Sequence, residues 1–181
     1  TGGLVQMTHV ASLTRAVALA GLLLTSGVAS APAFAGPAEV ALLQSYIGDW
    51  RGRGTLTGAN KETVVCRLSL NQGNQDKVNY NGRCTLAGNN LSVAGTLAYI
   101  DTSRRYEAAM SSNATFTGTA IGQKRGNGVI FNLREQEEDE EGKEYNISSQ
   151  IVLDNGAINV AFDVVYVETG ESFRASVPFS R

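Results

Sequence analysis

Two cysteines, an acidic run and one histidine are the residues of this sequence whose types could carry chemistry. The histidine is His9, near the start of the 181 residues, and the cysteines are Cys66 and Cys84. A Ser-His-Asp or Cys-His nucleophile, a histidine-ligated haem and most zinc sites need a histidine. Because His9 lies in a segment that we expect to be removed, and no carboxylate pair has a spacing suited to acid–base catalysis, we predict neither an enzyme nor a cofactor or metal site.

The acidic run spans residues 135–141 and reads Glu-Gln-Glu-Glu-Asp-Glu-Glu. Carboxylates are the ligands that Ca²⁺ prefers, which makes a calcium site one interpretation. The spacing D-x-[DN]-x-[DN]-G of regular calcium loops is absent, however. Arg134 and Lys143 flank the run, which favours a solvated hairpin tip instead. The sequence leaves calcium binding open.

Residues 1–35 are predicted to be a secretory signal peptide that opens at Met7, with an upstream remnant of residues 1–6. After Met7 and Arg15, residues 16–24 are apolar, and Ala33-Phe34-Ala35 fits the small-residue rule for cleavage. The apolar run falls short of the roughly 20 residues that cross a bilayer. We therefore expect cleavage after Ala35, a periplasmic or secreted protein, and no integral membrane segment after cleavage. An oxidising compartment predicts that Cys66 and Cys84 form a disulfide.

Composition narrows the class of protein further. The chain is 43% hydrophobic and 18% charged, which is typical of a folded globular protein. A net charge of −2 and a pI near 5.4 argue against a dedicated nucleic-acid binder. We expect a monomer.

Hydrophobic periodicity predicts a short helix followed by strands. Apolar residues three and four apart predict an amphipathic helix over residues 38–47 in a segment 36–48, ended by Gly48. From Trp50 onwards the period is two and turn residues recur about every ten positions. The candidate strands are Trp50–Thr57, Glu62–Leu70, Lys77–Leu86, Leu91–Tyr99, Arg105–Ser111, Thr115–Gly122, Val129–Arg134, Glu144–Leu153, Ile158–Val167 and Ser172–Pro178.

This pattern predicts an all-β domain over residues 49–181, an antiparallel up-and-down meander. Such a meander can stack as two sheets or close on itself; we favour a closed barrel of 8–10 strands, because closure removes exposed edges. If the second hairpin turns at about residues 74–76, Cys66 lies opposite Cys84 and Leu70 opposite Tyr80. This register also places the apolar residues of both strands on one face.

The inside of the barrel is predicted from the same alternation. Several strands carry one row of apolar residues. In other strands we predict that small residues line the barrel, namely Ala94, Ala98, Ala108, Gly118 and Ala120. Small residues either admit large side chains from across the lumen or leave a cavity. Aromatic side chains that could line a ligand pocket, or else fill the core, are Trp50, Tyr46, Tyr80, Tyr99 and Phe162.

Gly48-Asp49-Trp50, placed between the helix and the first strand, resembles the G-x-W opening of lipocalins and the wider calycin superfamily. In that family the tryptophan plugs one end of an up-and-down barrel and an arginine from a late strand packs across it. The resemblance implies this structural role for Gly48 and Trp50 and assigns the arginine to Arg174. Together with the meander and the strands lined by small residues, this opening leads us to expect a small, mostly apolar ligand within or at the mouth of the barrel. The candidate contacts are the aromatic residues Trp50, Tyr80, Tyr99 and Phe162.

Two narrower resemblances concern the same opening. Gly48 to Gly54 is similar to the opening of nitrobindin-type haem barrels, which ligate iron through histidine, so that activity is not expected here. Periplasmic metalloprotease-inhibitor barrels are also exported, open with a tryptophan strand and have two cysteines in the following region, as Trp50, Cys66 and Cys84 do. This second resemblance implies an alternative function, in which the segment before Trp50 enters the cleft of a secreted metalloprotease.

Basic residues form the last candidate site. Arg51 and Arg53 alternate with Trp50, so they point away from the face of the tryptophan. Together with Arg104-Arg105 and Lys124-Arg125 at predicted turns, they could attract an anionic ligand. Scattered surface cations explain them as well, and we favour that interpretation.

Overall fold

The computed structural model describes residues 36–86, 88–113, 117–139 and 141–181. The predicted signal peptide and its cleavage site lie outside the described residues. No helix of the described part is long and apolar enough to cross a membrane.

One short helix, α1 (Pro37–Gln44), precedes the strands. Proline at the start of α1 has no N–H that would be left unpaired. The negative charge of Glu39 in the first turn interacts favourably with the positive end of the helix dipole. The predicted helix continued to residue 47, but residues 46 and 47 donate to carbonyls three positions back and form a tighter turn. Leu43 of α1 is completely buried against the barrel.

Ten antiparallel strands form a closed barrel in which each strand pairs with its neighbours in sequence and β1 pairs with β10. The prediction of a closed meander is confirmed. The strands are β1 (Gly48–Thr57), β2 (Lys61–Gln72), β3 (Val78–Leu86), β4 (Asn89–Ile100), β5 (Arg105–Ser112), β6 (Thr117–Arg125), β7 (Gly128–Glu138), β8 (Glu144–Asp154), β9 (Ala157–Tyr166) and β10 (Ser172–Ser180).

The predicted register of the β2–β3 hairpin is confirmed. Cys66 lies opposite Cys84, and Leu70 lies opposite Tyr80. Cys66 and Cys84 form a disulfide across the two strands, with their Cα atoms 4.1 Å apart. Because both cysteines point into the barrel, the bond fixes which residues of β2 and β3 face the lumen.

The lumen is densely filled at the end where β1 begins, which we call the closed end. Its buried side chains include Trp50, Val78, Tyr106, Phe131 and Leu43. Here large side chains lie over glycines. A Cβ on Gly122 would come within 2.7 Å of both Phe131 and Tyr106, so glycine is what allows these two rings to pack edge to face at 6.3 Å.

The prediction of small residues lining the wall is confirmed in part. Ala108 and Ala120 lie opposite each other and are fully buried. Ala94 and Ala98 face outwards, and the prediction for these two is wrong. They pair with Ser111 and Glu107, whereas the inward positions of β4 are the odd-numbered ones, from Leu91 to Tyr99.

Trp50 plugs the closed end, as its G-x-W position predicts. Its indole N–H donates to the backbone carbonyl of Tyr46 at 2.9 Å. The guanidinium of Arg181 lies 4.4 Å from the centre of the ring and donates to the Ser45 carbonyl at 2.7 Å. The assignment of this arginine to Arg174 is wrong, because Arg174 points outwards and forms an ion pair with Asp163.

We predict that replacing both cysteines, as Cys66→Ala/Cys84→Ala, lowers the free energy of unfolding by about 3 kcal/mol, because the bond restricts a loop of 18 residues in the unfolded chain. Urea unfolding followed by Trp50 fluorescence measures this difference. A reducing agent should destabilise the wild type and leave the double variant unchanged. Equal stability of the two oxidised proteins would contradict the prediction.

Candidate functional site

A cavity of about 420 Å³ occupies the lumen and extends from Leu70, Leu153 and Ile158, near the closed end, towards the opposite end of the barrel. Its wall is mostly aliphatic, and strands β2, β3, β8 and β9 supply much of it. The side chains that line it include Val64, Leu68, Leu70, Leu86, Leu97, Met110, Ile147, Ile151, Leu153, Ile158, Val160, Val164 and Val177. The sequence left open whether the lumen is filled or hollow. The structure shows that the closed end is packed and that the other half is hollow.

Two tyrosines line the outer part of this cavity, and a phenylalanine packs on one of them. Tyr145 and Tyr166 lie 5.7 Å apart between ring centres, and Phe173 packs on Tyr166 at 6.4 Å. Tyr145 and Tyr166 line the cavity and stay partly exposed, so they form its mouth. Burial, and then the nearby Glu137 carboxylate, raise the pKa of Tyr145 above its usual value.

The four residues predicted to bind ligand are divided between the two halves of the barrel. Tyr80 and Phe162 lie in the wall of the cavity. Trp50 belongs to the packed closed end, and Tyr99 packs on the ring of Tyr106 at 5.0 Å. The structure brings together the first pair and separates it from the second, because β1 begins and β4 ends at the closed end.

Tyr80 is fixed in the wall by its hydroxyl group, which donates to the carbonyl of Ala109 at 3.0 Å. Its side chain passes over Gly95, where a Cβ would lie only 2.6 Å from the tyrosine oxygen. Burial raises the pKa of Tyr80 above its usual value. Since its hydroxyl already has a partner, Tyr80 presents mainly an apolar ring to the cavity.

The wall is open between β6 and β7 on the mouth side. These strands pair only from Ile121–Asn132 to Arg125–Gly128, so Thr117–Ala120 and the acidic end of β7 have no partner across this gap. Charged side chains are a common way to protect such an unpaired edge from other strands. We attribute this role to the acidic residues of β7.

The acidic run continues β7 into a hairpin tip, further than the predicted strand end at Arg134. Asp139 accepts hydrogen bonds from the backbone N–H groups of Glu141 and Lys143, which closes the tip. Glu140 lies outside the described residues. Within the described part of the chain, no three or more histidine, cysteine or acidic side chains are grouped closely enough to hold a metal ion.

Sequence reasoning missed several residues of the site, namely Tyr145, Tyr166, Leu86 and Met110. It predicted the disulfide but not that the bond forms part of the cavity wall. The signal for most of them was present, since Tyr145 and Tyr166 each belong to an alternating apolar row. What the alternation does not show is how far opposite walls lie from each other.

The sequence matches no protein-family model and no curated protein. Among solved structures, it is similar to Rv2717c from M. tuberculosis, with 15% identity, a TM-score of 0.61, and coverage of 81% of this chain and 98% of that one. This likeness shows the barrel fold alone. Membership of the lipocalin family stays a prediction.

Two further structures match more weakly. They are the S-type phycobiliprotein lyase CPES from Guillardia theta (9% identity, TM-score 0.49, 77% of this chain and 89% of that one) and a redesigned β-barrel, mFAP0, bound to DFHBI (10%, 0.40, 76% and 100%).

Tyrosine titration tests the packing of the site. Burial raises the pKa of Tyr106 to about 12, with the Glu39 carboxylate as a smaller cause, and raises that of Tyr80 as well. We predict that at about pH 11 the native protein shows less tyrosinate absorbance than the denatured protein, whose phenols titrate near their ordinary value of about 10.

The same shifts predict how stability depends on pH. Because the folded state holds these phenolic protons more tightly, their contribution to stability is complete below about pH 10 and is lost as the pH rises towards their folded-state values. Tyr80→Phe should reduce the alkaline loss of stability. Superimposable native and denatured titration curves would contradict both expectations.

Proposed function

We propose that this protein binds a small, mostly apolar ligand inside its barrel and performs no chemistry on it. The observation that carries the proposal is the aliphatic cavity of about 420 Å³, which lies within the range of about 300–1,000 Å³ typical of small-molecule sites. A barrel of this size that served only as a scaffold could fill its whole lumen, as the closed end does.

The polar groups of the cavity favour an apolar ligand. The hydroxyl of Tyr80 is already bonded to Ala109, and that of Ser149 donates to the carbonyl of Ala161 at 3.3 Å. Each hydroxyl has already donated its single proton and can only accept a further hydrogen bond, so most of the binding energy would come from burial of apolar surface. The inward Glu137 near Tyr145 disfavours an anionic group at the mouth.

Export is part of the proposal. The disulfide between Cys66 and Cys84 supports it, since such bonds persist in oxidising compartments. The signal-peptide pattern of residues 1–35 agrees with this, and we therefore propose a periplasmic or secreted protein that acts as a monomer.

The alternative, insertion of the segment before Trp50 into a protease cleft, finds no support in the described part of that segment. Leu43 and Tyr46 are buried on the barrel, and Arg181 holds the Ser45 carbonyl. The residues before Gly36 lie outside the described residues, and for them the alternative stays a prediction.

Filling the cavity tests the proposed function. Val160 points into the cavity between Ile151 and Val177, so Val160→Trp places an indole in the middle of the lumen. We predict that Nile red or all-trans-retinol, followed by fluorescence, binds the variant at least about fivefold more weakly than the wild type. The indole takes space that the ligand needs, and the overpacking that results costs ~1–3 kcal/mol.

Val65→Trp is the matched control, because Val65 lies on the outer face and is 49% exposed. Val160→Phe provides a smaller filling if the tryptophan variant unfolds at a lower temperature. Equal affinity of the probes for the inward and outward variants, or no saturable binding to the wild type, would overturn the proposal.

A further inference from the structure

Three arginines stand in a row across neighbouring strands on the outer face of the barrel. Arg51 of β1 lies directly opposite Arg67 of β2, and Arg67 lies directly opposite Arg83 of β3. All three are exposed and point away from the lumen. We call Arg51, Arg67 and Arg83 the arginine row; Arg53 lies two positions further along β1 on the same face.

The arginine row is electrostatically unfavourable on its own. Side chains directly opposite in an antiparallel pair have Cβ atoms about 5 Å apart, and like charges there destabilise the sheet. None of the three forms an ion pair or side-chain hydrogen bond with another described residue, whereas Arg105 and Arg174 pair with Glu107 and Asp163. This part of the surface therefore keeps concentrated positive charge in a protein whose net charge is −2.

A shallow depression of about 630 Å³ accompanies the row. Its remaining outward-facing residues are Asp49, Ser69, Asn81, Ser92, Ala94 and Ser111, followed by Asn113 in the next turn. Asp49 is the one acidic residue of this described lining, and the serines and asparagines supply neutral hydrogen-bonding groups. A second hollow, of about 520 Å³, adjoins it beside Arg51, Arg53 and Arg67.

The chemistry of this lining selects the kind of partner. Guanidinium groups form paired hydrogen bonds with phosphate oxygens, and neighbouring arginines neutralise more than one negative charge. The large apolar residues of the depression, Trp50, Leu68 and Val93, belong to the inward face of their strands. On the outer face, Val65 of the second hollow is a single exposed aliphatic side chain, which is too little to enter a bilayer. A soluble anion fits this surface better than a membrane does.

We propose that the arginine row binds a soluble oligophosphate. Neighbouring strands are about 4.8 Å apart, so the three guanidinium groups span about 10 Å, which suits two or three linked phosphate groups lying across the strands. Arg67, in the middle of the row, contacts the anion together with both neighbours. The arginine row lies on the outer face of the wall, and Arg67, Leu68 and Gly82 border both this depression and the lumen cavity.

Inorganic triphosphate and orthophosphate are the probes for this site, measured by titration calorimetry with the full chain at an ionic strength of about 20 mM, where charge screening is weak. Triphosphate should bind at least about tenfold more tightly than orthophosphate, because it reaches more than one arginine pair. Arg67→Gln should weaken triphosphate binding by about tenfold or more.

Arg134→Gln is the matched control. It removes the same charge from an exposed outward position of β7, opposite Ser148, and should change triphosphate affinity by less than about twofold. Thermal unfolding supplies a second readout. Without anion, Arg67→Gln should unfold at a higher temperature than the wild type, because it removes two like-charge contacts. Triphosphate should raise the unfolding temperature of the wild type more than that of the variant at the same concentration.

Three results would overturn the proposal: no binding of triphosphate to the wild type at millimolar concentration, equal affinity for the wild type and Arg67→Gln, or equal loss of affinity in Arg67→Gln and Arg134→Gln. Phosphatidylcholine vesicles containing phosphatidylglycerol form a further arm. Binding to these vesicles without binding to free triphosphate would assign the row to a membrane surface and would also overturn it.

Discussion

The packing of Trp50 is the interaction on which the rest of the barrel depends. Trp50 belongs to the first strand, its N–H donates to the end of the helical segment, and the arginine over its ring follows the last strand. One buried side chain thus joins the three segments that meet where the barrel closes. A cation–π contact at such a site contributes about 0.5–1 kcal/mol, and the larger share comes from burial of the indole. Closure at this end gives the lumen a floor, and without a floor there is no cavity.

The two halves of the lumen differ because of how side-chain size is distributed along the strands. At the closed end, glycine lies beside aromatic rings, as at Gly122, and the volumes are complementary. Towards the mouth, branched aliphatic side chains of β8 and β9 line the wall, and β6 pairs incompletely with β7. This half of the lumen is therefore hollow because its side chains do not fill the available volume and because the wall is incomplete between β6 and β7.

Local patterns predicted what depends on local geometry. Alternation with turn residues predicted the strands, and the two cysteines predicted a hairpin register. The sequence also contained the information needed to choose the right arginine. The inward-facing residues of β10 are the odd-numbered ones from Phe173 to Phe179, so Arg174 must point outwards. Arg181 is the next odd-numbered arginine and therefore faces inwards. Alanines gave the wrong face of β4 because they are compatible with either side. The cavity could not be predicted, since its volume depends on the distance between strands that are remote in the sequence.

The register of the β2–β3 hairpin determines side-chain positions both in the lumen and on the outer face. The register that pairs Cys66 with Cys84 necessarily places Arg67 opposite Arg83, because these are the next positions along the same two strands. Repulsion between the two guanidinium groups opposes this register, and a slip by one residue would relieve it. The disulfide prevents that slip. The disulfide thus forms part of the cavity wall on one side of the sheet and keeps two like charges adjacent on the other. Adjacent positive charges are what an anion site requires. Without the disulfide, repulsion between the two arginines would favour a different register.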